Sequence, residues 1–238
     1  MEQSYPTERW PAGHRAALLV VVRMAASGDA NATGLSRGFD YAATGLQHLL
    51  RALADLGVPA TTAWDEGTLT TSPQLARLAL EDGHDIVPAD SAAPTINLIA
   101  QLTGSAPSGA ALPESDEAGD FAWVIAERGG DLPMTEAAGM VTIPSSPFWN
   151  DAAWFAPDHP APPSALLETW SQGLQSVRTN GTLMTVFLHP HLSGRPGFVE
   201  AIARFLDEAI GAGDVWIARG SDLAEWWSSS RVPRTVDQ

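Results

Sequence analysis

The chain has 238 residues with a hydrophobic fraction of 45%, enough to fill the core of one large domain, so disorder is excluded as the default. Its 13 basic residues, every one an Arg, face 28 acids for a formal charge of −15, which repels nucleic-acid phosphates and anionic lipid and excludes both as partners. With no Lys and no Cys, Schiff-base and thiolate nucleophiles, disulfides and thiolate-held metals are excluded as well.

Residues 1–13 carry acids, prolines and Trp10 in place of a basic stretch and an apolar run, so no signal peptide is read there. Residues 16–22 (Ala-Ala-Leu-Leu-Val-Val-Val) form the longest apolar run, far short of the roughly 20 residues that span a bilayer, and a cytoplasmic protein is expected. The β-branched content of that run predicts a strand covered on both faces, as in a parallel sheet. Leu46, Leu49, Leu50, Leu53 and Leu56 recur at spacings of three and four ahead of Gly57, predicting an amphipathic helix over 41–56. A second strand follows over 58–64. Ser72, Pro73 and the closing Gly83 bracket a second helix by their capping chemistry. Residues 84–87 read as the third strand, and the alternating order implies right-handed crossovers with the ligand site at the carboxyl ends of the strands.

Helix near 95–102, loop over 103–119, strands over 121–126 and 140–143, and a Trp- and Pro-rich loop over 144–163 come next. The order closes with a helix over 165–178, a strand over 183–188, an amphipathic helix over 197–210, a strand over 215–218 and a short helix over 220–227. No linker composition interrupts it, so 1–228 is read as one domain and 229–238 as a flexible tail.

Several strings carry a resemblance: Trp10-Pro-Ala-Gly-His-Arg15, Gly57-Val-Pro-Ala-Thr61, Gly83-His-Asp-Ile86, Leu188-His-Pro-His-Leu-Ser-Gly-Arg-Pro196 and Val215-Trp-Ile-Ala218. With the element order they resemble the polysaccharide deacetylase (NodB-homology) family, in its branch of cofactor-free allantoinases and cyclic-imide hydrolases. The resemblance implies an α/β fold, a distorted (β/α)7-type barrel in a single domain. It also implies an Asp-x-Asp after the first strand, supplying a general base and a metal ligand, and a His-x-x-x-His after the third. This chain departs there: Arg23 and Ala25 stand for the two Asp, Ala89 and Ala93 for the two His, and Ala111 for a loop Arg. No metal and no cofactor are therefore expected, and Arg23 brings a fixed positive charge to the place of the family base.

The strand-end His189 matches the family's acid position, and a proton-transfer role stands beside the alternative of a relic His bonded to the rim. His191, two residues on, is a weaker candidate for binding. Asp90, and less so Asp85, is placed to pair with Arg23 across the barrel mouth, with an exposed loop carboxylate as the bland alternative. Asp65 and Glu66 form the adjacent acidic pair at the end of the second strand, with a solvated turn as the bland alternative. Trp149, Asn150, Asp151, Trp154 and Phe155 match a pocket-covering loop whose rings either stack on substrate or only wall the mouth. His84 reads as packing, Gly194 as a turn, Pro196 as a helix start, Arg195 as a loop pin, and Trp226 and Trp227 as a seal at the bottom.

The expected function is an enzyme working without the family metal on a small polar molecule, by C–N hydrolysis or by proton transfer and cyclisation in specialised metabolism. His189, Arg23 and Asp90 form its catalytic set. The alternative is an inactive binding or regulatory pseudoenzyme, and either form is compatible with a homo-oligomer or with pairing to an active homologue.

Overall fold

The computed structural model describes residues 10–24, 41–113, 116–127, 130–136, 138–154 and 161–230. Strand β1 (Ala16–Arg23) is buried along its length except at Arg23. Its alternate side chains divide between two cores: Leu18, Val20 and Val22 face an outer one, Ala17, Leu19 and Val21 an inner one. Both faces are covered, which is why the strand reads as an unbroken apolar run.

Helix α1 (Ala42–Leu56) buries Leu46, Leu49, Leu50 and Leu53 and stops at Gly57, whose φ of 64° lets its N–H bond back to Leu53 and Ala54. Then come β2 (Thr61–Trp64), α2 (Glu66–Thr71), α3 (Pro73–Glu81), β3 (Asp85–Pro88), α4 (Ala93–Thr103) and β4 (Gly109–Ala111). The second half holds β5 (Trp123–Glu127), β6 (Met134–Thr135), β7 (Val141–Ser145), α5 (Pro163–Asn180), β8 (Leu183–Leu188), α6 (Pro190–Ser193), α7 (Phe198–Gly211), β9 (Val215–Ala218) and α8 (Gly220–Ser230). The last helix runs two residues past the tail boundary expected at 228, and 231–238 lie outside the described residues. Among the described residues no helix is long and apolar enough to cross a membrane.

One sheet has the parallel order β3-β2-β1-β8, and the other has β4-β5-β7 parallel with β6 antiparallel at its edge. They close on each other at both ends, β3 lying beside β4 and Asn150 bridging Phe187 of β8 just beyond β7. The ring β1-β2-β3-β4-β5-β7-β8 is the expected distorted barrel with helices outside. β1 also divides one edge between two partners, β9 along Ala16–Leu19 and β2 from Val21 to Arg23.

Four local differences from the sequence reading have physical causes. Helix α2 was not expected; Asp65 initiates it by accepting the Thr68 N–H at 2.7 Å, and Ser72 consequently makes no side-chain cap for α3. β4 is a strand without a β-branched residue, and a Cβ on its Gly109 would sit 2.0 Å from the Trp123 ring. Gly194 keeps ordinary φ (−74°) and is needed for close approach, since its Cβ would lie 2.3 Å from Gly45 Cα; the positive φ belongs to Gly197. Helix α7 starts at Phe198, so Pro196 precedes it by two residues.

At the amino ends of the strands, Asp85 accepts from Thr61 Oγ1, Ser221 N–H and Ser221 Oγ. This ties β2 and β3 to α8 at the barrel floor and removes Asp85 from the mouth. Trp10 packs on Trp216 and Trp227, and Trp216 on Trp226, forming the expected seal. Arg195 also behaves as expected, bonding the His191 carbonyl at 2.8 Å and lying over the Tyr41 ring.

His84 is buried, and its Nδ1 accepts the Ala60 N–H at 3.1 Å. Burial pushes its pKa below the ordinary 6.5, with Arg219 adding to the lowering and Asp82 and Asp85 opposing it. The unfolded chain takes up this proton near pH 6.5 while the folded chain resists, so stability is complete above that pH and declines as pH falls through it toward the lowered value. The urea midpoint is expected to fall between roughly pH 7.5 and pH 5.5, a window around that ordinary value, and to fall less in His84→Gln.

Candidate active site

Pairing of Val22 with Leu188 places Arg23 and His189 at one level on adjacent parallel strands. Inner-core residues are odd-numbered on both, Ala17, Leu19 and Val21 on β1 and Leu183 and Phe187 on β8, so the next side chains in each row, Arg23 and His189, face the barrel interior. His189 is still extended (φ −103°, ψ 117°), and the strand ends after it because Pro190 has no N–H to continue the ladder and starts α6 instead.

Asp151 reaches His189 from the segment after β7. Two short 3-10 turns, Pro147–Trp149 and Asp151–Ala153, are held by Ser146 accepting the Phe148 N–H and Asn150 Oδ1 accepting the Ala152 N–H. The carboxylate is fully buried: Oδ1 meets His189 Nδ1 at 2.6 Å, and Oδ2 accepts the His189 N–H at 2.7 Å and the Ser193 hydroxyl at 2.5 Å. A carboxylate only accepts, so the proton in the ring contact sits on Nδ1 and Nε2 is the nitrogen left for chemistry. The His189 side chain keeps 10% exposure and Asp151 none, and Nε2 is the ring nitrogen not taken up by the carboxylate.

Arg23 extends from β1 across β2, its Nη2 donating to the Ala89 carbonyl just past β3 at 3.3 Å. His191 lies edge-on to His189 with ring centroids 6.0 Å apart. Of the three residues expected to converge on one pocket, Arg23, His189 and Trp149, the first two share the inner face of the barrel, with His191 alongside, and Trp149 does not join them.

The other candidates are redistributed. Asp90 folds onto its own loop, Oδ1 accepting the Ala92 N–H at 3.0 Å, and acts as a turn residue where pairing with Arg23 was expected. Asp65 is buried while Glu66 is exposed in the first turn of α2, so the acidic pair does not act together. Asp151, expected to contact substrate, has both oxygens engaged by His189 and Ser193 and none left for a ligand. Asn150 spends its side chain on the turn. Trp149 and Trp154 pack against the outer core and are not a stacking platform over the pocket; the Trp149 ring sits on Gly173 of α5, and Trp154 Nε1 donates to the Phe148 carbonyl at 3.2 Å. Phe155 and Ala25 lie outside the described residues. The sequence carried no signal for Ser193, whose role exists only through its contact with Asp151.

A Cβ at Gly173 would stand 2.3 Å from the Trp149 ring. Gly173→Ala is expected to displace that ring, shifting intrinsic tryptophan emission and costing about 1–3 kcal/mol in urea unfolding.

The family metal does not fit. Arg23 and Ala89 stand at the ends of β1 and β3 and Ala93 opens α4, none of them offering a side-chain ligand, and among the described residues no three His, Asp or Glu converge to hold a cation.

No family model matches the sequence, and no curated protein matches it. Among solved structures, a protein of Pseudomonas aeruginosa PAO1 assigned as a polysaccharide deacetylase superposes with a TM-score of 0.84 at 19% identity, over 96% of both chains. A Mycobacterium smegmatis protein assigned likewise gives 0.82 at 24% identity over 96% of both, and the Puue allantoinase 0.82 at 18% over 96% of this chain and 95% of its own. The register, the closure of the two sheets and these superpositions agree: the chain has the polysaccharide deacetylase fold.

Proposed function

We propose that this is a hydrolase-fold enzyme that acts on a small polar molecule, by C–N cleavage or a related proton-transfer or ring reaction, without a metal at the family position. The observation that carries the reading is His189, fixed by buried Asp151 beside Arg23 at the carboxyl end of the barrel. Strand ends of this kind are where barrel enzymes keep their catalytic groups. Arg23 would polarise a substrate oxygen and hold the negative charge that develops on it, and His189 Nε2 would move a proton to or from the departing atom. The same reading places the protein in the cytoplasm with a small-molecule substrate.

The test is metal content by mass spectrometry together with turnover of allantoin, a cyclic imide and an N-acetyl sugar, with and without added Zn²⁺. Turnover by metal-free protein, unchanged by Zn²⁺ and lowered about 10²–10⁴-fold in His189→Ala, is the expected result. Stoichiometric zinc or an unaffected His189→Ala variant would overturn it.

A second reading, a binding or regulatory protein that has lost catalysis, alone or paired with an active homologue, is favoured by one observation: Arg23, Ala89 and Ala93 replace the base and ligands together. It predicts tight small-molecule binding with no turnover and no dependence on the Nε2 proton of His189.

A further inference from the structure

We propose that Asp65 is the general base of this site, a carboxylate supplied from the second strand where the first strand carries Arg23. The proposal rests on the enzyme reading above. Asp65 follows β2 with its backbone still extended (φ −99°, ψ 166°). Ala63 belongs to the inner core and Trp64 to the outer one, so Asp65 returns to the inner face, the face of Arg23 and His189. The Ala89 N–H donates to the Trp64 carbonyl, which sets Asp65 level with Ala89, the residue whose carbonyl receives Arg23 Nη2. By strand spacing of about 4.8 Å, the Arg23 guanidinium lies along the same stretch of rim as Asp65, with His189 on the far side of β1.

The two oxygens of Asp65 differ. Oδ1 accepts the Thr68 N–H at 2.7 Å and the Thr68 hydroxyl at 3.0 Å, and this completes the cap of α2. Oδ2 is buried and meets no donor among the described residues, although Asp65 as a whole is only 7% exposed. A buried carboxylate oxygen without a donor is disfavoured. Capping does not require it, because Ser caps a helix as well with a single oxygen. An acceptor on the inner face, at the same rim as Arg23 and His189, is instead suited to the O–H of a reacting water.

The step balances with water as the sole co-reactant. Oδ2 takes a proton from water as the water oxygen bonds to the substrate carbonyl carbon, and the carbonyl π pair moves onto its oxygen against Arg23. Collapse restores the C=O bond and breaks C–N, and the nitrogen takes the proton of His189 Nε2. Asp65 then releases its proton to solvent and His189 regains one.

The experiment compares wild type, Asp65→Ser, Asp65→Asn and His189→Ala as full chains. Asp65→Ser keeps a capping oxygen and deletes the donorless one, so it is expected to melt at or about 2 °C above wild type; a melting point several degrees lower would show a carboxylate required by the fold and overturn the proposal. On whichever of allantoin, a cyclic imide or N-acetylglucosamine the EDTA-treated wild type turns over, Asp65→Asn is expected to lower kcat about 100-fold or more with KM within about threefold. An Asp65→Asn kcat within threefold of wild type, alongside an inactive His189→Ala, would overturn the assignment of Asp65 alone. No turnover by wild type, or full turnover by His189→Ala, would overturn the enzyme reading and this proposal with it.

Discussion

Replacing Asp151 by Asn is expected to remove turnover almost as completely as deleting His189, and to destabilise the fold by about 2–4 kcal/mol. The carboxylate meets the ring Nδ1, a backbone N–H and a hydroxyl with two acceptor oxygens and no exposed surface. Asn offers one acceptor oxygen and an NH2. If the NH2 faces Nδ1, that nitrogen becomes an acceptor and the ring can no longer hold a proton on both nitrogens, so Nε2 loses its power to donate, a fault worth about 10⁴ in rate where a comparable Asp–His pair has been altered. If it faces the other way, two donors meet a donor group in a buried site. Urea unfolding and the nitrogen shifts of the His189 ring report the two effects separately. Ser193→Ala, which deletes one of the three donors, is expected to cost about 1 kcal/mol and leave the tautomer unchanged.

Gly45→Ala is the second large effect, expected to cost about 3 kcal/mol or more and to lower the urea midpoint accordingly. A Cβ there would stand 2.0 Å from the Pro190 carbonyl oxygen, and the facing Gly194 would place its own Cβ 2.3 Å from Gly45 Cα. Both obstacles are backbone, so relief requires α1 to part from α6. Helix propensity favours Ala over Gly by about 1 kcal/mol, so any net loss measures this crossing. Gly211→Ala near the end of α7, where a Cβ meets nothing within 4 Å, is the matched control and is expected to be neutral or slightly stabilising. Since α6 begins directly after His189 and contains Ser193, parting the helices also disturbs the Asp151 contacts.

Much of the fold was legible because burial on both faces writes itself as apolar runs: 183–188 and 215–218 are strands with the expected bounds, and β1 exceeds its run by Arg23 alone. Amphipathic spacing and stop residues gave α1 and α7 to within a residue or so. β4 was invisible because Gly109-Ala-Ala is selected by the Trp123 ring and not by strand propensity. In the site, Arg23 and His189 were legible from their place at strand ends. Asp151 was named with the wrong task, because its partner lies 38 residues away and its burial is tertiary. The aromatic loop was misread for a like reason: nothing in Trp149 or Trp154 announces that Gly173 leaves room for a ring on the outer helix.

The shared edge of β1 bears on how the chain folds. Val21–Arg23 pair with β2, close by in sequence, whereas the rest of the strand pairs with the distant β8 and β9, Ala16 with Val215. Contacts of such high order slow folding, because the long intervening loop must close before the pairing stabilises anything. The end of β1 next to the barrel mouth is therefore expected to gain its first ladder partner before the end that meets β9.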